Sequence, residues 1–72
     1  MKNVLELKIG EKAIVKDLDR ESTVRRKLLE MGITPGAELL LSGKAPLGDP
    51  VEITIRGYKL TLRKNEAKGI LI

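Results

Sequence analysis

The chain has 72 residues, with 14 Lys and Arg against 10 Asp and Glu and neither cysteine nor histidine, which leaves room for one small domain (1–72) burying only about 60% of the surface its unfolded chain exposes. Disulfides, thiolate metal sites and imidazole chemistry are excluded by composition, and a large enclosed active site does not fit. The formal charge of +4 suits a solvated surface, an acidic partner or nucleic acid, while no signal peptide and no apolar run of the roughly 20 residues that span a bilayer is read, so the expected location is the cytoplasm.

Val4-Leu5-Glu6-Leu7-Lys8-Ile9-Gly10 alternates weakly and predicts an extended lead-in, turned at Gly10-Glu11 into a strand over Ala13-Ile14-Val15-Lys16. Beyond Asp19 the period changes. Val24, Leu28 and Met31 recur at i, i+4 and i+7, the apolar face of a short helix from Ser22 to Met31, with Ser22 as N-cap and Arg26 and Glu30 paired on the other face. Leu29 falls off that stripe and is expected either against the N-terminal segment or partly exposed. Gly32 stands where a helix C-terminus needs positive φ, and Ile33 where the apolar residue of a Schellman motif packs back on the last turn.

Pro35-Gly36 supplies the central pair of a type II turn, and Ala37 to Ser42, with the run Leu39-Leu40-Leu41, follows as a strand. The stretch from Gly43 to Pro50 reads as a loop with a turn at Gly48-Asp49. Val51, Ile53 and Ile55 alternate with Glu52, Thr54 and Arg56, and Arg56-Gly57 turns the chain. Tyr58, Leu60 and Leu62 then continue the inward face against outward Lys59, Thr61 and Arg63, which makes a hairpin. Lys64 to Lys68 form one helical turn ended by Gly69, and Ile70-Leu71-Ile72 close as a last strand. Four or five short strands with one inserted helix describe a mainly β fold, a small antiparallel barrel.

Catalysis has little to work with. Ser22, Thr23 and Ser42 have no base partner in sequence, and Gly43-Lys44 lacks the remainder of a phosphate loop, so the protein is expected not to be an enzyme. Asp17 and Asp19 could face one another across a turn but read more simply as turn and cap carboxylates. A metal site would have only carboxylates, carbonyls and the Met31 thioether to draw on, and Met31 lies on the core face of the helix. No metal site and no cofactor is assigned.

Arg25-Arg26-Lys27, with Lys59, Arg63, Lys64 and Lys68, read as solvated faces or, more sharply, as a charged recognition surface. Tyr58 is the only aromatic, too thin a stacking platform for nucleic acid to be expected as a partner. In the loop, Pro46 and Pro50 stiffen the backbone, and Leu47 either folds over the open end of the barrel or presents an anchor to a partner. The candidate partner site is therefore Ala45, Pro46 and Leu47 of the loop with Arg25, Arg26 and Leu29 of the helix, an apolar anchor rimmed by charge.

Three stretches carry a family resemblance: Lys27-Leu28-Leu29-Glu30-Met31-Gly32-Ile33-Thr34-Pro35-Gly36, Ala45-Pro46-Leu47-Gly48-Asp49-Pro50 and Leu62-Arg63-Lys64-Asn65-Glu66-Ala67. In order and spacing they resemble the FeoA family of ferrous iron transport proteins over nearly the whole chain. That resemblance implies an SH3-like barrel, in agreement with the strand pattern. It also implies a cytosolic accessory of bacterial ferrous iron uptake that binds FeoB, a membrane transporter with a cytosolic guanine-nucleotide-binding domain. The implied role lies beside the transporter, without a grip on the metal and without insertion into the membrane. Two other readings stay open. A similar barrel forms the C-terminal domain of metal-dependent repressors of the diphtheria toxin repressor family, whose helix-turn-helix and metal ligands this chain lacks; a basic RNA-binding small barrel is the third.

Overall fold

The N-terminal segment coils where weak alternation predicted extension. In the computed structural model, which describes residues 2–72, Val4–Glu6 form one 3-10 turn closed from both sides. Asn3 Oδ1 accepts the Leu5 N–H and Glu6 Oε2 accepts the Asn3 N–H, each at 2.9 Å. An amide and a carboxylate three residues apart make a reciprocal cap, and this local pairing outweighs a faint period-2 pattern. Val4 and Leu7, three apart on the turn, remain buried.

Four strands, β1 (Lys12–Ile14), β3 (Glu38–Lys44), β4 (Val51–Ile55) and β5 (Tyr58–Leu62), make an antiparallel sheet in the order β1-β3-β4-β5. A second sheet pairs β2 (Asp17–Leu18) with β6 (Ile70–Leu71). The two sheets meet at a corner in the chain: the Val15 N–H still donates to Ala37 O at 2.9 Å, but the Lys16 N–H turns to Leu71 O at 2.8 Å. The first strand is thus shorter than the stretch Ala13 to Lys16, and β2 occupies residues read from sequence as a turn.

Between β3 and β4 the register shifts between Leu41 and Gly43, so Ser42 is the extra residue of a bulge that bends the sheet. Pairing resumes through Lys44, and the connecting loop begins two residues later than its composition suggested. Arg56 and Gly57 both have positive φ, 51° and 82°, the geometry of a two-residue type I′ hairpin turn matched to strand twist. Alternation in β5 is as predicted, yet Tyr58 is a correction: it shares a face with Leu60 and Leu62 but is 71% exposed, whereas Leu62 is fully buried. As the first residue after the hairpin turn, it projects beyond the core that its face covers lower down.

Helix α1 (Ser22–Glu30) is capped by Glu21 rather than Ser22, whose backbone is already helical. The Glu21 carboxylate accepts the Thr23 and Val24 N–H groups at 3.0 Å each, using two oxygens where a serine has one and placing its charge at the positive end of the helix. No Arg26–Glu30 ion pair closes among the described residues; a basic residue preceding the acidic one is the weaker sense of an i, i+4 pair. The helix end is as read: the Gly32 N–H donates to Leu29 O and the Ile33 N–H to Leu28 O, both at 3.0 Å, a Schellman motif with Gly32 at φ +88° and Ile33 fully buried. Gly36 has φ +91° and the Ala37 N–H closes on Thr34 O, as a type II turn requires.

A four-residue helix, α2 (Lys64–Ala67), follows β5. Leu18, Leu28, Ile33, Leu41, Ile53 and Ile70 meet in the middle of the barrel. Among the described residues no helix is long and apolar enough to cross a membrane.

Candidate partner-binding surface

Two features flank α2. On one side lies the loop from Ala45 to Pro50. The Gly48 N–H donates to Ala45 O at 2.8 Å and the Ala45 N–H to Pro50 O at 3.0 Å. The turn is therefore centred on Pro46-Leu47, two residues before the predicted Gly48-Asp49, because a proline favours its second position and a glycine its last. Asp49 Oδ1 accepts the Lys64 N–H at 2.9 Å and pins the loop to the start of α2. Leu47 at the tip is 95% exposed. The alternative in which it plugs the barrel is set aside: the core closes without it.

On the other side lies α1. Lys27 forms an ion pair with Glu66, whose side chain keeps only 12% of its exposure; Glu66 Oε1 also accepts the Arg63 N–H at 3.0 Å. The Lys27 ammonium and then that N–H hold the Glu66 carboxyl below its ordinary pKa. Arg25, two residues from Lys27 and hence on the opposite flank of the helix, reaches Asp17 Oδ1 at 3.4 Å and Leu18 O at 3.1 Å. Asp17 is held below its ordinary pKa by the Leu18 N–H and then by Arg25, and Asp19 Oδ1 accepts the Glu21 N–H. The two aspartates are thus turn and cap groups.

The six candidate residues accordingly separate. Pro46 and Leu47 are exposed at the tip of a clamped loop, and Ala45 is the half-buried base that shapes it. Arg26 is exposed on the outward face of α1, beside a shallow groove of about 350 Å³ shared with Thr23, Lys27 and Glu30. Leu29, 40% exposed, stands toward the Arg25 flank, away from α2, and Arg25 is occupied in tying α1 to β2. Asp49 joins the loop to α2, and Lys27, next to Arg26 in the chain, joins α2 to α1; Arg25 and Leu29 lie around the helix from Lys27. Arg63, Lys64 and Lys68, exposed on and beside α2, add the positive rim. Lys59 stands apart on the outer face of the sheet, opposite Thr54.

Sequence reading missed three exposed apolar groups, Tyr58, Ile9 and Ile14, the last two 61% and 50% exposed. Ile14 carried a signal that was available: it lies on a short strand flanked by Lys12 and Lys16, the composition of a sheet edge. Ser42 sits 3.1 Å from Glu52 Oε1 and accepts from Thr54 Oγ1 at 3.0 Å, a network that fills the bulge. Met31 packs against the core. Among the described residues no three carboxylates converge as a ligand set.

A strongly bent barrel of short antiparallel strands, with one helix inserted between β2 and β3 and a stiff exposed loop, defines a small SH3-like domain. The FeoA domain model matches residues 2–72, and the chain belongs to the FeoA family. A curated relative from Porphyromonas gingivalis, an Fe(2+) transport protein A/Fe(2+) transporter FeoB fusion protein, is 34% identical over 65 residues, which is 90% of this chain and 8% of that protein. The solution structure of a FeoA-like protein from Clostridium acetobutylicum is 49% identical, with a TM-score of 0.89 over 96% of this chain and 80% of that one. The FeoA of Stenotrophomonas maltophilia, crystallised with zinc and described as a prokaryotic SH3 domain protein, is 25% identical, with a TM-score of 0.85 over 99% of this chain and 88% of its own. The fold alone is shared with a manganese-dependent transcriptional repressor, 14% identical with a TM-score of 0.87 over 96% of this chain and 39% of that one.

Proposed function

We propose that this protein is a cytosolic, non-enzymatic accessory of ferrous iron uptake that acts by binding a FeoB-type transporter. The observation that carries this reading is the fusion relative, which joins the two partners in one polypeptide. A covalent link keeps both at high effective concentration, which supports an encounter between their surfaces. In a separate chain the same encounter has to be supplied by an interface.

Pro46 and Leu47 with Arg26 and the α2 rim form the interface in this proposal, and Leu29 adds a second apolar contact around the helix. The loop is held by two backbone hydrogen bonds and by the Asp49 side chain on the Lys64 N–H, so little conformational entropy remains to be lost on docking. Leu47, 95% exposed, contributes nothing to the core and is free to fill a pocket on the partner. The test is co-purification with the transporter's cytosolic domain. Leu47→Asp should abolish it while leaving the folded spectrum unchanged, and Arg26→Glu should mainly slow association and reduce its salt dependence. Undiminished capture by Leu47→Asp refutes the loop as anchor; failure of the unsubstituted protein to bind any part of the transporter refutes the function.

A further inference from the structure

We propose that the free edge of β1 captures an extended acidic segment of a partner chain by strand addition, a site separate from the loop and α2 surface and independent of it. The backbone pattern identifies which groups are available. The Leu41 N–H donates to Glu11 O at 3.0 Å and the Val15 N–H to Ala37 O at 2.9 Å, so residues 11, 13 and 15 turn their backbone groups toward β3, and residues 12, 14 and 16 turn theirs away. Lys16 finds Leu71 O on that far side. Lys12 and Ile14 have no backbone partner there among the described residues, since β1 ends the sheet.

The barrel is consequently open along this edge, and the opening has a definite chemistry. A groove of about 500 Å³ is lined by Leu7, Ala13, Ile14 and Ile72, with Lys2 and Lys16 on its rim; Lys12 stands on the strand itself. Glu11, the carboxylate nearest along the strand, is turned back to accept the Lys8 N–H at 2.6 Å, and Glu38, paired opposite Ile14, stands on the β3 side, away from the open edge. An extended segment added here would satisfy the outward N–H and C=O groups of Lys12 and Ile14, place every second side chain over Leu7, Ala13 and Ile72, and set the others on the opposite face beside Ile14, between Lys12 and Lys16. A second copy of this chain fits poorly, because antiparallel β1 edges would set Lys12 and Lys16 against their counterparts, and like charges directly opposite destabilise a strand pair. Alternating apolar and acidic residues suit both floor and rim.

The experiment titrates the full isotopically labelled chain with a capped peptide of about seven residues alternating Val and Glu, and with its Val and Lys counterpart. Expected are saturable amide shifts at Lys12, Ile14 and Ile72, slowed hydrogen exchange at Lys12 and Ile14, and no response to the lysine peptide. Ile14→Pro deletes one outward N–H without costing a ladder bond, a substitution that edge strands tolerate, and should remove the response. The pair Lys12→Glu and Lys16→Glu, which leaves the backbone untouched, should weaken binding about tenfold, the ratio expected of two exposed charges. No binding at millimolar peptide, equal binding of the lysine peptide, shifts confined to Leu47 or α1, or a concentration-dependent dimer that protects the β1 amides without peptide would each overturn the proposal.

Discussion

Leu28 is the residue through which α1 holds the barrel. It is fully buried, as its place between Val24 and Met31 indicated. Leu28→Ala is expected to cost about 2–5 kcal/mol, read as a lowered denaturant midpoint with unchanged slope. Gly32 makes a different kind of contribution. Its φ is +88° with nothing within 4 Å of where a Cβ would stand, so Gly32→Ala should cost about 1–2 kcal/mol from backbone strain alone. A loss that grew with larger side chains at this position would show contacts instead. Both residues were legible because their signals are local, a period and a helix stop. The exposure of Tyr58 was not, because it depends on where the core ends beneath a strand, which alternation along that strand does not report.

Among the elements, α2 is the most dependent on charge. Four residues cannot sustain a helix by propagation; this one is held by Asp49 at its first N–H, by Glu66 capping Arg63 and by the Lys27–Glu66 pair to α1. Because the folded protein holds the Glu66 carboxyl below its ordinary pKa, the stabilisation is fully present above the unfolded value of about 4.3 and is lost as pH falls through the lower folded value. Asp17 and Glu21 are lowered too, the first mainly by the Leu18 N–H and the second by the Thr23 and Val24 N–H groups, and act with the same sign. Denaturant midpoints measured between about pH 2 and 7 should therefore rise with pH through the acid range, with a shallower rise in Glu66→Gln, which is also less stable at neutrality. An identical acid slope in that variant would place the linkage elsewhere. The sequence announced α2 through its position after β5 and before Gly69, but the ion pair that ties it to α1 joins residues distant in sequence and leaves no periodic trace.

At the scale of the molecule, closure rests on the last strand. The β2–β6 pairing was beyond sequence reading because two-residue strands carry too short a pattern, and their register is set by the fold around them. Yet β6 and the residue after it gather the N-terminal part of the chain, residues 2–18. Leu18 pairs with Ile70 and Asp17 with Leu71, Asn3 bridges to Leu71, the Lys16 N–H donates to Leu71 O, and the Ile72 N–H donates to Lys2 O. Ile70 is fully buried. A domain of this size has a total stability of about 4–11 kcal/mol, and losing a buried isoleucine alone removes about 2–5 kcal/mol. Each backbone hydrogen bond lost from a partly buried site adds about 0.5–1.5 kcal/mol. Deleting residues 70–72 should therefore abolish cooperative unfolding and collapse amide chemical-shift dispersion, whereas deleting Ile72 alone, which removes one backbone bond and a half-buried side chain, should leave a folded protein with a lower midpoint. Retained dispersion in the shorter chain would mean that the four-stranded sheet with α1 folds without its closing strand, and that β6 is an attachment to the barrel rather than the piece that completes it.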